Sequence, residues 1–483
     1  MNSKVVKNYL YDILYKVLLL ITPLITTPYI SRVLGVTNIG IYGYVTSIAS
    51  YFVLFGTFGT ALYGRREIAY YQDDELKRTK VFKEIITIRI FMCLIASILY
   101  LIMFCLDGEY VVIYRIYIVY VISNAVDISW FFQGLQDFKV TVLRNVIVKV
   151  IGLVSIFVFV KNDSQLDLYT LCTTIPTLLG HISLWPYLKK YVVVKKQKIS
   201  LIKHIVPIIS LFIPQIAIEI YTVLDKTMIG VLAENISEVG FYTQAQNIIK
   251  IVLQFVASIG TVMLPAMALD FKKGNKDSLI YSVKSSFRVI SFVGIPTVAG
   301  IIAISDKFVP WFFGSDFLPV SQLMKITSFL IIIVGYSTVV GSQYLLATKQ
   351  QKWYTISVIA GSLINFSLNM ALIPLLGALG ASIASVIAEL SVSIIQIVYV
   401  KNKINLFVCT LQNWKYYLAS IIIAFIIKVF TRHMQANIIT TFFQIIIGII
   451  IYIVVLLILK EDIMYSIMKN VKKFMQKFED KVK

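Results

Sequence analysis

A chain of 483 residues with 58% hydrophobic and only 14% charged side chains cannot cover a soluble core with polar surface. Soluble domains run at about 45–50% apolar and about 25% charged residues. The net charge of +20 does not indicate nucleic acid, because lysines and arginines cluster between apolar runs and no loop is long enough to fold as a basic domain.

A bilayer core asks for roughly 20 apolar residues per helix, and its lack of water requires every backbone amide to be satisfied within the segment. In chain order the spans are predicted at 11–31, 40–62, 85–106, 110–133, 140–160, 168–188 and 205–230. They continue at 241–268, 284–304, 320–345, 352–373, 378–400, 415–431 and 438–459. The chain therefore reads as an all-α polytopic membrane protein of about fourteen transmembrane helices. Asp12, Lys16 and the lack of a small-residue cleavage site make the first run a helix rather than a signal peptide. The span at 415–431 is short and carries Lys428. Residues 461–483 interleave Ile463, Ile467, Val471, Phe474 and Phe478 with lysines, the pattern of a basic amphipathic helix on an anionic leaflet.

With the N-terminus on the cytoplasmic side, 32 lysines and arginines fall in inner loops and tails against 5 outside. That bias places both termini in the cytoplasm. The four cysteines (Cys93, Cys105, Cys172, Cys409) and three histidines (His181, His204, His433) are dispersed, so neither a metal site nor redox chemistry is expected.

Two stretches repeat. Ile39-Gly40-Ile41-Tyr42 precedes Gly59-Thr60, and Val239-Gly240-Phe241-Tyr242 precedes Gly260-Thr261. Six spans separate the copies, so both enter the membrane in the same sense. The expected architecture is two six-helix lobes around a central cavity plus two extra C-terminal helices. The boundaries are 1–200 for the N-terminal lobe, 201–403 for the C-terminal lobe, 404–460 for the additional helices and 461–483 for the tail.

Ionic side chains inside a membrane cost roughly 2.5–3.5 kcal/mol each on insertion scales, so they are expected to face a partner or a wet route. The seventh span carries Glu219, Asp225 and Lys226; the eighth carries Gln246, Asn247, Lys250 and Gln254 in one polar stripe. Asp127 and Lys149 lie in the first lobe, Arg32 ends the first span after Pro23 and Pro28, and Glu389 sits in the twelfth. Asn365 and Asn369 read as helix–helix contacts, and Arg89, Arg288 and Lys325 as side chains reaching for an interface.

The succession Leu34-Gly35-Val36-Thr37-Asn38-Ile39-Gly40-Ile41-Tyr42, Gly64-Arg65-Arg66-Glu67-Ile68-Ala69 and Trp130-Phe131-Phe132-Gln133-Gly134-Leu135 resembles the bacterial polysaccharide/oligosaccharide flippases. Asp225-Lys226-Thr227-Met228-Ile229-Gly230, Gly341-Ser342-Gln343-Tyr344-Leu345-Leu346-Ala347 and Pro374-Leu375-Leu376-Gly377-Ala378-Leu379-Gly380-Ala381 continue it. That family belongs to the multidrug/oligosaccharidyl-lipid/polysaccharide exporter superfamily. The resemblance implies flipping of undecaprenyl-pyrophosphate-linked oligosaccharides for capsule, exopolysaccharide or O-antigen synthesis in the bacterial cytoplasmic membrane. It implies as partners the lipid-linked substrate, membrane lipids and other polysaccharide-assembly proteins. A peptidoglycan-precursor flippase or a multidrug exporter of the same superfamily is the alternative. No cofactor is expected; an H+ or Na+ gradient would supply the drive, since no Gly-x-x-x-x-Gly-Lys-Ser/Thr phosphate loop is present. An enzyme is not expected, because the longest outer loop, 305–319, has no acid/base pair with a histidine.

Overall fold

A computed structural model describes residues 3–193, 198–401, 404 and 410–465, without the side chains of 3–20, 138, 214, 217–222, 255–262 and 265–266. Within these residues the chain is helical and no strand occurs. The first helices are α1 (Ser3–Thr57), α2 (Thr60–Tyr70), α3 (Glu75–Tyr100), α4 (Val111–Ser123), α5 (Ser129–Gly134), α6 (Phe138–Phe159), α7 (Leu166–Ile182) and α8 (Ile202–Leu232). They are followed by α9 (Ser237–Lys272), α10 (Lys276–Phe312), α11 (Pro319–Thr327), α12 (Leu330–Ser337), α13 (Gln351–Leu376), α14 (Ala378–Val400), α15 (Trp414–Phe430) and α16 (Ile438–Ile458). Every predicted span falls on these helices, and among the described residues eight helices are long and apolar enough to cross a membrane by length and composition. Large apolar side chains such as Phe91 (63% exposed) and Ile439 (73%) point outward, as lipid as solvent permits.

Four spans depart from the simple reading. Spans one and two are joined without a loop, as one kinked helix. The break is at Gly35 (φ 74°, ψ 175°), while helical φ/ψ continue through Pro23 and Pro28. Only glycine occupies that backbone region at little cost. The fourth span splits into α4 and α5 because Asp127 Oδ1 accepts from Ser129 N–H (3.0 Å) and Ser129 Oγ–H (2.6 Å), offering the backbone a turn in place of a helix. The tenth span is α11, α12 and a π-helical stretch, Thr338–Leu345.

The chain divides into two compact units, 1–243 and 244–483. Within the first unit α8 packs along α1. Gly59 lies against Ile208 and Phe212, Gly230 lies against Tyr44, and Thr227 Oγ donates to Ser47 Oγ at 3.0 Å. The core of this unit gathers Phe82, Ile85, Trp130, Phe131, Phe132 and Leu184. Two motifs of the sequence meet there: Gly64 abuts the Trp130 ring, and Gly134 sits on the Arg65 carbonyl and Ile68. In the second unit α15 and α16 pack on α10 through Tyr416, Ala419, Leu456 and Ile295. Residues 466–483, with most of the expected amphipathic tail, and Cys409 lie outside the described residues.

Candidate translocation site

The repeated segments touch each other. Thr37 Oγ1 and Ser237 Oγ are 3.1 Å apart, and each sits at the same place in its copy, 200 residues from the other. Gly40 faces the Ile236 carbonyl and Gly240 N, while Gly240 faces the Val36 carbonyl and Gly40 N. Gly43 faces Thr243. Small residues at each contact let two backbones approach as side chains would not allow. The post-kink part of α1 and the start of α9 therefore cross with reciprocal contacts.

A buried ionic cluster lies in the same unit. Arg89, 1% exposed, donates through Nε to Asn124 O (2.7 Å) and through Nη1 to Thr60 Oγ1 (3.2 Å). Its Nη2 is 3.6 Å from Asp127 Oδ2, and Arg144 Nη2 is 4.0 Å from Asp127 Oδ1. His181 Nδ1 lies 2.9 Å from the Ser123 carbonyl at the end of α4, so that nitrogen carries the proton. Arg89 does not reach for an interface as its position suggested. The turn at 124–128 turns the Asn124 carbonyl and the Asp127 carboxylate toward it, and the guanidinium fills that polar cup.

The other predicted residues fall in different settings. Asp225 is buried and accepts from the Tyr242 hydroxyl, tying α8 to α9. Lys226 is half-buried, and Arg32 is exposed just before the kink. In the eighth span Gln246 is buried, Asn247 donates to Gln244 Oε1 (3.1 Å), and Lys250 and Gln254 are exposed. Lys149 is exposed on α6, and Glu389 is half-buried on α14. The backbone of Glu219 lies in α8, but its side chain is outside the described residues.

In the second unit Asn369 donates to Asn365 Oδ1 (3.1 Å), both side chains being buried between α13 and α14. Lys325 pairs with Asp306. Arg288 pairs with Glu461 (2.6 Å) and Asp462 (2.8 Å), while Tyr416 OH also donates to Glu461 (2.6 Å). The Arg288 guanidinium holds the exposed Asp462 carboxyl below its ordinary range. Cys93, Cys105 and Cys172 are free thiols, and among the described residues no cluster of His, Cys, Asp and Glu could hold a metal.

The family described as Polysaccharide biosynthesis protein matches residues 5–269, more than half of the chain. The chain belongs to this family. An Escherichia coli (strain K12) protein named "Putative O-antigen transporter" is 24% identical over 393 residues, 80% of this chain and 94% of that protein. The solved structure of "Lipid II flippase MurJ, inward closed conformation" superposes with a TM-score of 0.70 at 18% identity, covering 95% of this chain and 99% of that one. An inward-facing multidrug resistance MATE family transporter of the MOP superfamily superposes at 0.63 and 14% identity, covering 80% and 94%. The fold is that of these polytopic transporters.

Within this family member one polar network had no sequence signature. Glu84 on α3 is fully buried and accepts from Ser200 N–H (2.8 Å) and Lys203 Nζ (2.9 Å), with His204 Nε2 at 2.8 Å. The other ring nitrogen of His204 meets Tyr63 OH at 2.7 Å. Ser200, Lys203 and His204 lie more than a hundred positions beyond Tyr63 and Glu84 in sequence, and only the fold joins the two groups. A carboxylate one residue before a predicted span was the sole clue.

Proposed function

We propose that the chain is a flippase that moves undecaprenyl-pyrophosphate-linked oligosaccharide repeat units across the bacterial cytoplasmic membrane by alternating access. Both termini would lie in the cytoplasm. The supporting observation is membership of a polysaccharide-biosynthesis family combined with a polytopic transporter fold whose repeats meet in register, Thr37 on Ser237 and Gly40 on Gly240. Correspondence along 94% of a protein named for O-antigen transport supports the substrate class.

In this reading Lys149, Lys226 and Arg32 of the first unit and Lys250 of the second are the cations available to a pyrophosphate through charge-assisted hydrogen bonds. Gln246, Asn247 and tyrosines contact sugar hydroxyls. Asp127, Asp225, Glu219 and Glu389 are the carboxylates available to couple an H+ or Na+ gradient. An apolar groove of about 410 Å³ beside α10, α15 and α16, lined by Pro296, Gly300, Ile427 and Gly448, suits a polyprenyl tail. Other polysaccharide-assembly proteins would supply and consume the substrate. A second reading, a peptidoglycan-precursor flippase, is favoured by the TM-score of 0.70 to such a protein.

The test is reconstitution of the purified chain in vesicles with fluorescent undecaprenyl-pyrophosphate oligosaccharide or lipid II. Accessibility of the label to an external quencher reads the flipping. Faster exchange of the oligosaccharide, slowed by Lys250→Ala and Glu219→Gln, supports the proposal. Exchange of lipid II alone sustains the second reading, and full wild-type rates in both variants remove the assigned site.

A further inference from the structure

The α6–α7 pair carries a recess that the translocation site does not use. Its volume is about 630 Å³, and residues of the first unit alone line it. One end is apolar: Leu143, Ile147 and Ile151 on α6 face Leu179 and Pro176 on α7. The eight helical steps from Leu143 to Ile151 rise about 12 Å. That is most of the roughly 15 Å of hydrocarbon in one leaflet. The other end is cationic, with Lys139 and Lys190 exposed at its rim and Arg144 at its back.

Arg144 is held there by packing. Its Cδ lies where a Cβ on Gly180 would press against it, and Val148 fills the same notch, so α6 and α7 close tightly behind the guanidinium. The carboxylates do not balance the charge. Asp127 serves Arg144 and Arg89 together, and Asp137 Oδ2 already accepts from Tyr191 OH at 2.9 Å. Four cations thus stand against two carboxylates in and behind the polar end. Low dielectric makes such an excess an attractor for an anion, and a fork-shaped guanidinium with two ammonium groups suits a phosphate.

From this geometry we infer that the recess binds an anionic phospholipid of the leaflet that the basic-residue bias marks as cytoplasmic. The phosphate sits among Lys139, Lys190 and Arg144, and one acyl chain lies along Leu143, Ile147 and Ile151. An oligosaccharide headgroup is disfavoured, because beyond the charged groups the polar end offers little more than Ser183 and the two tyrosines Tyr187 and Tyr191 for sugar hydroxyls. The inference does not rest on the flippase reading. It needs only the α6–α7 groove and a membrane around it.

Native mass spectrometry of the full-length protein, titrated with phosphatidylglycerol, phosphatidylcholine or undecaprenyl phosphate, tests it. Phosphatidylglycerol is expected to stay bound at about tenfold lower concentration than phosphatidylcholine, the discrimination of one charge-assisted contact. Lys139→Ala/Lys190→Ala removes that preference. Ile147→Trp, which fills the apolar end, removes the tightest phosphatidylglycerol adduct while the cations remain. Melting of both variants without added lipid should match the wild type, because all three side chains are exposed. Equal retention of the two phospholipids overturns the inference, as does a phosphatidylglycerol adduct that survives both variants. Undecaprenyl phosphate outcompeting phosphatidylglycerol at this groove overturns it as well, in favour of a substrate-lipid site.

Discussion

Arg89 and Asp127 face each other at 3.6 Å inside the first unit, and Arg144 approaches the same carboxylate at 4.0 Å. One carboxylate therefore answers two guanidiniums. Breaking a buried ion pair by removing one partner costs about 3–5 kcal/mol, much of it the penalty on the charge left behind. Arg89→Met leaves Asp127 with Arg144, whereas Asp127→Leu leaves the buried Arg89 and the half-buried Arg144 without a carboxylate between them. Thermal unfolding in detergent should show Asp127→Leu as the more damaging change. The double variant Arg89→Met/Asp127→Leu should lose less than the sum of the singles, and strict additivity would contradict the pairing.

At the helix crossing the cost is steric. A Cβ at Gly40 would run into the Ile236 carbonyl, and one at Gly240 into the Val36 carbonyl. Overpacking of this kind costs about 1–3 kcal/mol. Gly40→Ala and Gly240→Ala should each lower the melting temperature, and the second substitution should cost less once the first has spread the helices. Gly300, where nothing lies within 4 Å, is the control, and alanine there should stabilise α10 by about 0.5–1 kcal/mol.

Gly35 separates conformational from steric cost. It has open space around it but sits at φ 74°, ψ 175°. Gly35→Ala should therefore destabilise by about 1–3 kcal/mol with no clash to relieve. Asparagine, which favours left-handed helical backbone rather than this region, should not rescue it. Recovery with Gly35→Asn in a melting experiment would place the kink in a different conformation.

Lys149 and Lys250 are exposed on helices otherwise rich in apolar residues. If they hold substrate, alanine at either position should leave the melting temperature within a degree or two. Flipping should fall by about tenfold or more, the worth of a hydrogen bond to a charged group. Loss of melting temperature in parallel with flipping would instead assign them to folding.

The helices were legible because a bilayer forces continuous apolar runs, and each predicted span landed on a helix. Their joints were less so. The Gly35 kink and the Asp127 turn depend on one residue each, and hydropathy averages single residues away. The repeat was visible as two tetrapeptides, but that Gly40 would meet Gly240 could not be read from either copy. Buried charge was legible as cost and not as partnership. Arg89 looked like an interfacial side chain, since the carbonyl and carboxylate that receive it belong to a turn more than thirty residues away. The Glu84–His204–Tyr63 network stayed hidden for the same reason at greater separation.

The crossing of α1 and α9 has the form of an isologous interface, in which one patch meets its own counterpart. A half-length chain bearing this segment would need no second surface to associate with an identical copy. Fusing two such chains end to end preserves the contact without inventing a new one, and each copy is then free to diverge wherever it does not touch the other.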